Sequence, residues 1–242
     1  MTDTSTAFAP QPAARAAGAL YVIIIVCGVF GELAVRASLI APGDPAATAA
    51  NIRASEHLFR LGFAADAVMA VSDAAVAVLL FVLLRPAGAV LALMATVFRL
   101  VQTAILGGNL LNHHAALVAL DATGPLGGVD AATREALALF SLEVQGDGYD
   151  LGLIFFGVCS VLVGVLIWRS RFLPRLLGAA VIAAGAVYLI GSALVFLAPG
   201  AADAFTPAYA VPLVAETALA LWLLIRGVDV ARWLAAAKTP SS

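Results

Sequence analysis

Apolar residues in this chain run in long blocks rather than in alternation, and the polar residues between the blocks cluster at a few points. A helix needs about 20 apolar residues to cross the hydrocarbon layer of a membrane. Six windows answer to that pattern, at residues 17–39, 61–84, 88–111, 151–168, 176–198 and 208–225. Turn chemistry separates them: Ala41-Pro42-Gly43-Asp44-Pro45 after the first, Arg85-Pro86-Ala87-Gly88 after the second, Gly124-Pro125-Leu126-Gly127-Gly128 after the third. The fold class this predicts is all-α, a polytopic membrane helix bundle of six transmembrane helices. It forms one domain over residues 15–234, between disordered tails at 1–14 and 235–242.

Two shorter helices are expected in the outer loops. Asp44 is placed to cap one, with Pro45 in its first turn and an alanine-rich run to about Ser55. Asp130 is placed to cap another that runs through Gln145 and stops at Gly146. Leu137, Phe140 and Val144 share one face of it, which would lie on the membrane surface or over the bundle.

Composition excludes a water-soluble globule. Hydrophobic residues make up 63% of the 242 positions and charged ones 12%, against roughly half and a quarter in a soluble domain. The first partner is therefore the lipid bilayer. Thirteen basic residues against fifteen acidic ones, with no basic block, exclude nucleic acid. Cys27 and Cys159 sit inside apolar windows without a CxxC spacing, which speaks against structural zinc or thiol redox chemistry. The first window continues to Ile40 with no cleavage pattern behind it, so it is expected to stay in the protein as a helix.

Basic residues set the expected orientation, because they are retained on the cytoplasmic side. With the N-terminus inside, Arg15, Arg85, Arg169, Arg171, Arg175, Arg226, Arg232 and Lys238 are cytoplasmic, against Arg36, Arg53, Arg60 and Arg134 outside. Both termini are then expected in the cytoplasm, and the location is a bacterial cytoplasmic (inner) membrane.

Ionisable groups within a span are costly and mark sites by default. The first span carries Glu32 and Arg36, the second Asp66 and Asp73, the third Arg99, Gln102, Asn109, His113 and His114, and the sixth Glu216. At about 100° per residue, Arg99, Gln102, Asn109 and His113 fall within an arc of about 80°. Spans four and five carry no charge within their windows. The simplest arrangement puts spans one, two, three and six around an outward-facing polar cavity centred on Arg99, with four and five facing lipid or packing. Glu32, Asp66, Asp73 and Glu216 outnumber the one deep cation, so a carboxyl is protonated, solvated, or matched by a bound cation. That excess makes a small or lipophilic ligand, cationic in character, the expected partner.

Other chemistry lacks local support. His113 and His114 adjoin and point about 100° apart, unlike a chelating i, i+4 pair. His57 lies in the first outer loop, and no histidines sit in separate spans to hold a haem, so no metal or cofactor is expected. No GxSxG, Walker A, GxGxxG or HExxH pattern occurs, and Gly191-Ser192-Ala193 reads as a small-residue packing patch, as do Gly178 and Gly185.

Several polar positions in apolar context resemble one known family. Ala17-Gly18-Ala19-Leu20-Tyr21 leads into an Ile/Val run, Glu32-Leu33-Ala34-Val35-Arg36 follows, and then Pro42-Gly43-Asp44. With Glu56-His57-Leu58-Phe59-Arg60, Ala65-Asp66, Phe98-Arg99-Leu100-Val101-Gln102 and Asn109-Leu110-Leu111-Asn112, the chain resembles the bacterial membrane family catalogued as domain of unknown function 4386. The resemblance implies a multi-span membrane protein and supplies no catalytic residues. Three functions remain open on the sequence: small-molecule binding or transport through the polar cavity, a structural or signalling protein whose buried charges fix helix packing, and an intramembrane acid/base enzyme acting on a lipid-like substrate.

Overall fold

The computed structural model describes residues 9–238. Regular structure among them is helical, without a strand, and six helices are long and apolar enough to cross a membrane. The first, α1, is a rod over Pro10–Leu39 whose residues Phe30–Arg36 wind as a π-helix. It is followed by α2 (Pro45–Ala54) and α3 (Glu56–Leu84), then α4 (Ala89–Leu120) and α5 (Ala131–Ser170). The chain ends with α6 (Arg175–Leu197), α7 (Ala210–Ile225) and α8 (Val230–Lys238). The spanning helices are α1 and α3 to α7. Each packs against the next in the chain, and α7 returns to α1, so the six form a closed ring.

Apolar side chains cover the outside of this ring. Val71, Val90, Leu111, Leu176 and Leu197 are each 71–83% exposed, a belt that water would not tolerate but lipid does. The chain is a multi-pass membrane protein. Its two ends meet at one end of the bundle, where the Gln11 amide donates to the Arg226 carbonyl and accepts from the backbone N–H of Val228. The Trp233 indole donates to the Leu83 carbonyl at 2.8 Å, which docks α8 beside the end of α3.

At the opposite end, α2 forms as the sequence predicts, with the Asp44 carboxylate accepting the Ala47 N–H at 2.9 Å. Arg53 of α2 pairs with Glu135 of α5, fastening the loop to the bundle.

Three expectations are corrected. The helix capped by Asp130 does not stop at Gly146 but continues through the fourth span as one helix of 40 residues, roughly 60 Å long at 1.5 Å per residue. Gly148 is there for contact: a Cβ on it would collide with the Asn109 side chain, so the glycine lets α4 and α5 approach. Secondly, residues 10–14 belong to α1, where Pro10 opens the helix and Gln11 is bonded, and residues 235–238 belong to α8. The rest of both expected tails, 1–8 and 239–242, lies outside the described residues. Thirdly, the third span runs on to Leu120 instead of ending at Leu111.

Spans four and five pack against each other, one of the two alternatives open for them, and Gly178 and Gly185 lie in the seam as expected. The apolar core of α5 is 56% buried, more than that of any other spanning helix among the described residues. Its seam with α6 is built from Gly157 and Gly164 against Gly185 and Gly178. A Cβ on Gly178 would lie 2.7 Å from the Gly164 carbonyl oxygen, and one on Gly185 2.7 Å from that of Gly157. Absence of charge here reflects backbone-close packing, in which small residues replace side-chain contacts.

Candidate functional site

Arg99 faces the interior of the ring and is 1% exposed. Its Nη2 donates to Asp73 Oδ1 at 2.5 Å and its Nη1 to the Tyr21 hydroxyl at 2.7 Å. The guanidinium also lies over two rings, 4.7 Å from the centroid of Tyr21 and 5.1 Å from that of Phe156. Thr103 donates to the second Asp73 oxygen at 2.6 Å. Four consecutive spans thus contribute to one buried ion pair, in which Arg99 Nε is left without a hydrogen-bond partner. The void beside it measures about 10 Å³, room for a single water. The cavity expected around Arg99 is therefore not there, because one carboxylate neutralises the cation and aromatic rings fill the space that a ligand would need.

A second polar centre lies nearer the end of the bundle that carries α2. Arg36, the last residue of the π-helical turn, donates from Nε to Glu32 and from Nη1 to Asp66, both at 2.9 Å. The side chain of Asp66 is 6% exposed and that of Glu32 65%, so Arg36 bridges a buried acid and a solvated one. Short π-helical stretches insert a residue into the turn and recur at functional sites. Here the stretch brings Gly31 against the ion pair, and a Cβ on Gly31 would lie 2.9 Å from Asp66 Oδ1.

The remaining predicted residues do not join either centre directly. Glu216 accepts the Tyr188 hydroxyl at 2.6 Å and takes part in none of the ion pairs among the described residues. Asn109 donates to the Gln145 carbonyl at 2.6 Å, and Gln102 is buried on the same seam beside Gly152. His113 is buried. Its ring stacks on Phe59 at 4.0 Å and its Nε2 meets the Phe59 carbonyl at 3.0 Å.

Beside this second centre lies a cleft of about 630 Å³. It lies between the C-terminal half of α1, the middle of α5 and the turn before α7. Glu32 and Arg36 border it from one side, Gln145, Tyr149 and Asp150 from a second, and Thr206 and Tyr209 from a third. An aromatic line leads inward from it: Tyr209 to Tyr188 at 6.1 Å, Tyr188 to Phe156 at 5.3 Å, and Phe156 to Arg99. Of the cleft's polar residues, Glu32 and Arg36 are the ones that the sequence marks as ionisable groups within a span. Gln145, Tyr149 and Asp150 were obscured by the expected helix end at Gly146. Their spacing on one continuous helix would have placed Gln145 and Tyr149 one turn apart on one face.

The model of the family described as Domain of unknown function (DUF4386) matches residues 16–227. An uncharacterized protein of Archaeoglobus fulgidus is 29% identical over 160 residues, which span 64% of this chain and 76% of that protein. No solved structure matches the chain. Since the family match takes in both polar centres and all but the first residues of the six-helix ring, the chain belongs to the DUF4386 family.

Proposed function

We propose that this protein binds or carries a small molecule in the cleft beside Arg36, in the cytoplasmic membrane of a bacterium, with both termini cytoplasmic. The observation that carries this reading is the cleft itself: about 630 Å³, open at one end of the bundle and bordered by ionisable groups of two spans. Its size falls in the range of small-molecule sites, which combine apolar walls with a few convergent polar groups. The excess of basic residues at the end holding both termini supports the orientation. A cysteine introduced at Asp203 should label from the periplasm and one at Arg171 from the cytoplasm; exchange of the two sides would reverse the topology. For binding, a compound screen by thermal shift in detergent should find ligands whose stabilisation disappears in Ala37→Trp, which fills the cleft. Ligands that stabilise this variant as well as the unaltered protein would place binding elsewhere.

A second reading is favoured by the Arg99 centre. An ion pair closed by Tyr21, Phe156 and Thr103 with space for one water serves helix register rather than ligand binding. The two readings are compatible, since a rigid inner half supports a binding cleft in the outer half.

A further inference from the structure

The cleft beside Arg36 holds more negative than positive charge, and the surplus is not spent on protein contacts. Arg36 is the cation on its wall, and it already serves both Glu32 and Asp66. Asp150, half-buried on the opposite wall, takes part in none of the ion pairs or side-chain hydrogen bonds among the described residues. Asp147, one turn earlier on α5, and Glu32 both add to the negative field at Asp150. Two carboxylates, Glu32 and Asp150, thus line this space beside one guanidinium, which is already committed to Glu32 and Asp66, and a half-buried carboxylate without a counter-charge is costly.

An independent observation comes from Gln145. Its residue is 4% exposed and lines the cleft, yet none of the side-chain hydrogen bonds among the described residues uses its amide, only its backbone carbonyl. Gln102 Oε1 is sealed in the packing without a partner, whereas the Gln145 amide is not sealed and stays open to a molecule in the cleft. The rings of Tyr149 and Tyr209 also border the cleft, and Leu142 and Leu153 supply apolar wall. Carboxylates, an amide oxygen, aromatic faces and an apolar wall are the groups that recognise an ammonium ion attached to an apolar body.

We propose that the cleft is a binding site for an organic ammonium ion carrying an aryl or alkyl group, with Asp150 as its principal counter-charge and Gln145 accepting one of its N–H groups. Tyr149 and Tyr209 flank the ammonium, while Leu142 and Leu153 meet the apolar group. The proposal rests on the small-molecule reading above and narrows it to one ligand class.

Three probes of matched size test it by titration calorimetry on the full chain in lipid nanodiscs: 2-phenylethylammonium, the anion 3-phenylpropionate and the neutral 2-phenylethanol. The ammonium ion should bind at least tenfold more tightly than the other two, and Asp150→Asn should remove that preference without lowering the thermal midpoint. Gln145→Leu should weaken the ammonium ion and leave the alcohol unchanged. Tighter binding of the anion, equal binding of all three, or indifference of the ammonium ion to Asp150→Asn overturns the ligand class. If none of the three binds, the class is overturned as well. The broader small-molecule reading falls only if the wider screen finds no compound whose stabilisation Ala37→Trp removes.

Discussion

Gly31 lies so close to Asp66 that a Cβ at position 31 would stand 2.9 Å from Asp66 Oδ1 and 3.0 Å from Nη2 of Arg36. The missing side chain on one helix makes room for an ion pair with the next. Asp66 Oδ1 is itself buried without a hydrogen-bond partner, so the carboxylate has no other contact to fall back on if it is displaced. Gly31→Ala should cost about 1–2 kcal/mol, within the range of overpacking. Gly28→Ala, whose Cβ would meet only Met69 Sδ at 3.5 Å, should be neutral or stabilising through helix propensity. Thermal midpoints in detergent compare the two; equal behaviour would show that the Arg36–Asp66 pair moves aside freely.

The α5–α6 seam gives a sharper steric test. At Gly178 a Cβ would meet the Gly164 carbonyl at 2.7 Å and the Trp168 backbone nitrogen at 2.8 Å. Backbone atoms cannot rotate away as a side chain does. Gly178→Leu and Gly185→Leu should therefore fall at or beyond the upper end of the roughly 1–3 kcal/mol that overpacking costs. Gly107, with nothing within 4 Å of its notional Cβ, is the control, and Gly107→Ala should be tolerated. Loss of stability at position 107 and none at 178 would place the seam elsewhere.

Span length was legible because lipid imposes it: a helix must stay apolar for about 20 residues, and that signal survives without knowledge of any contact. The caps at Asp44 and Asp130 were legible for a similar reason, being local. Partner choice was not. Asp66 and Asp73 lie seven apart on one face of α3, and which of them meets Arg99 depends on the depth at which α4 crosses, a tertiary quantity. The π-helical turn at Phe30–Arg36 leaves no mark in composition, yet it sets where Arg36 points. A glycine in a helical pattern reads as a stop, yet the helix runs through Gly146, which has open space around it, and two residues later Gly148 is the one that lets α4 approach. Tyr21 and Tyr188 lie inside apolar windows and carry no mark of their partners, yet their hydroxyls meet Arg99 and Glu216, since a hydroxyl deep in a span calls for a partner.

Asp130 caps α5 at the end of the bundle that carries α2. Its carboxylate accepts the Thr133 N–H at 3.0 Å and the Thr133 hydroxyl at 2.7 Å, and these bonds hold its pKa below the ordinary 3.8. A depressed folded-state pKa means that the stabilisation is complete above the unfolded value and disappears as pH falls through the folded one. Asp130→Ala should therefore increase fraying of the first turn at neutral pH, and its difference from the unaltered protein should shrink on acidification below 3.8. Amide exchange at residues 131–134 against pH measures this. A difference that grows on acidification would assign the capping to another group.

The pair of Arg99 and Asp73 carries the strongest prediction about stability. Each is buried at 1% and 4% exposure, and removing one leaves the other as an uncompensated charge in a low-dielectric interior. Breaking a buried pair in this way costs about 3–5 kcal/mol. Arg99→Met and Asp73→Leu should each show such a loss. The double variant should recover most of it, because replacing both charges by apolar groups of similar bulk is often neutral, although the Tyr21 hydroxyl and Thr103 then lose their partners. Arg99→Lys should behave as a partial loss: the ammonium retains the charge toward Asp73 but cannot reach Asp73 and Tyr21 from two nitrogens of one planar fork as the guanidinium does. A thermodynamic cycle over the four proteins reads the coupling directly. Additive losses in the double variant would show that Arg99 and Asp73 stabilise the bundle independently, and that the closed centre joining four spans is not held by their pairing.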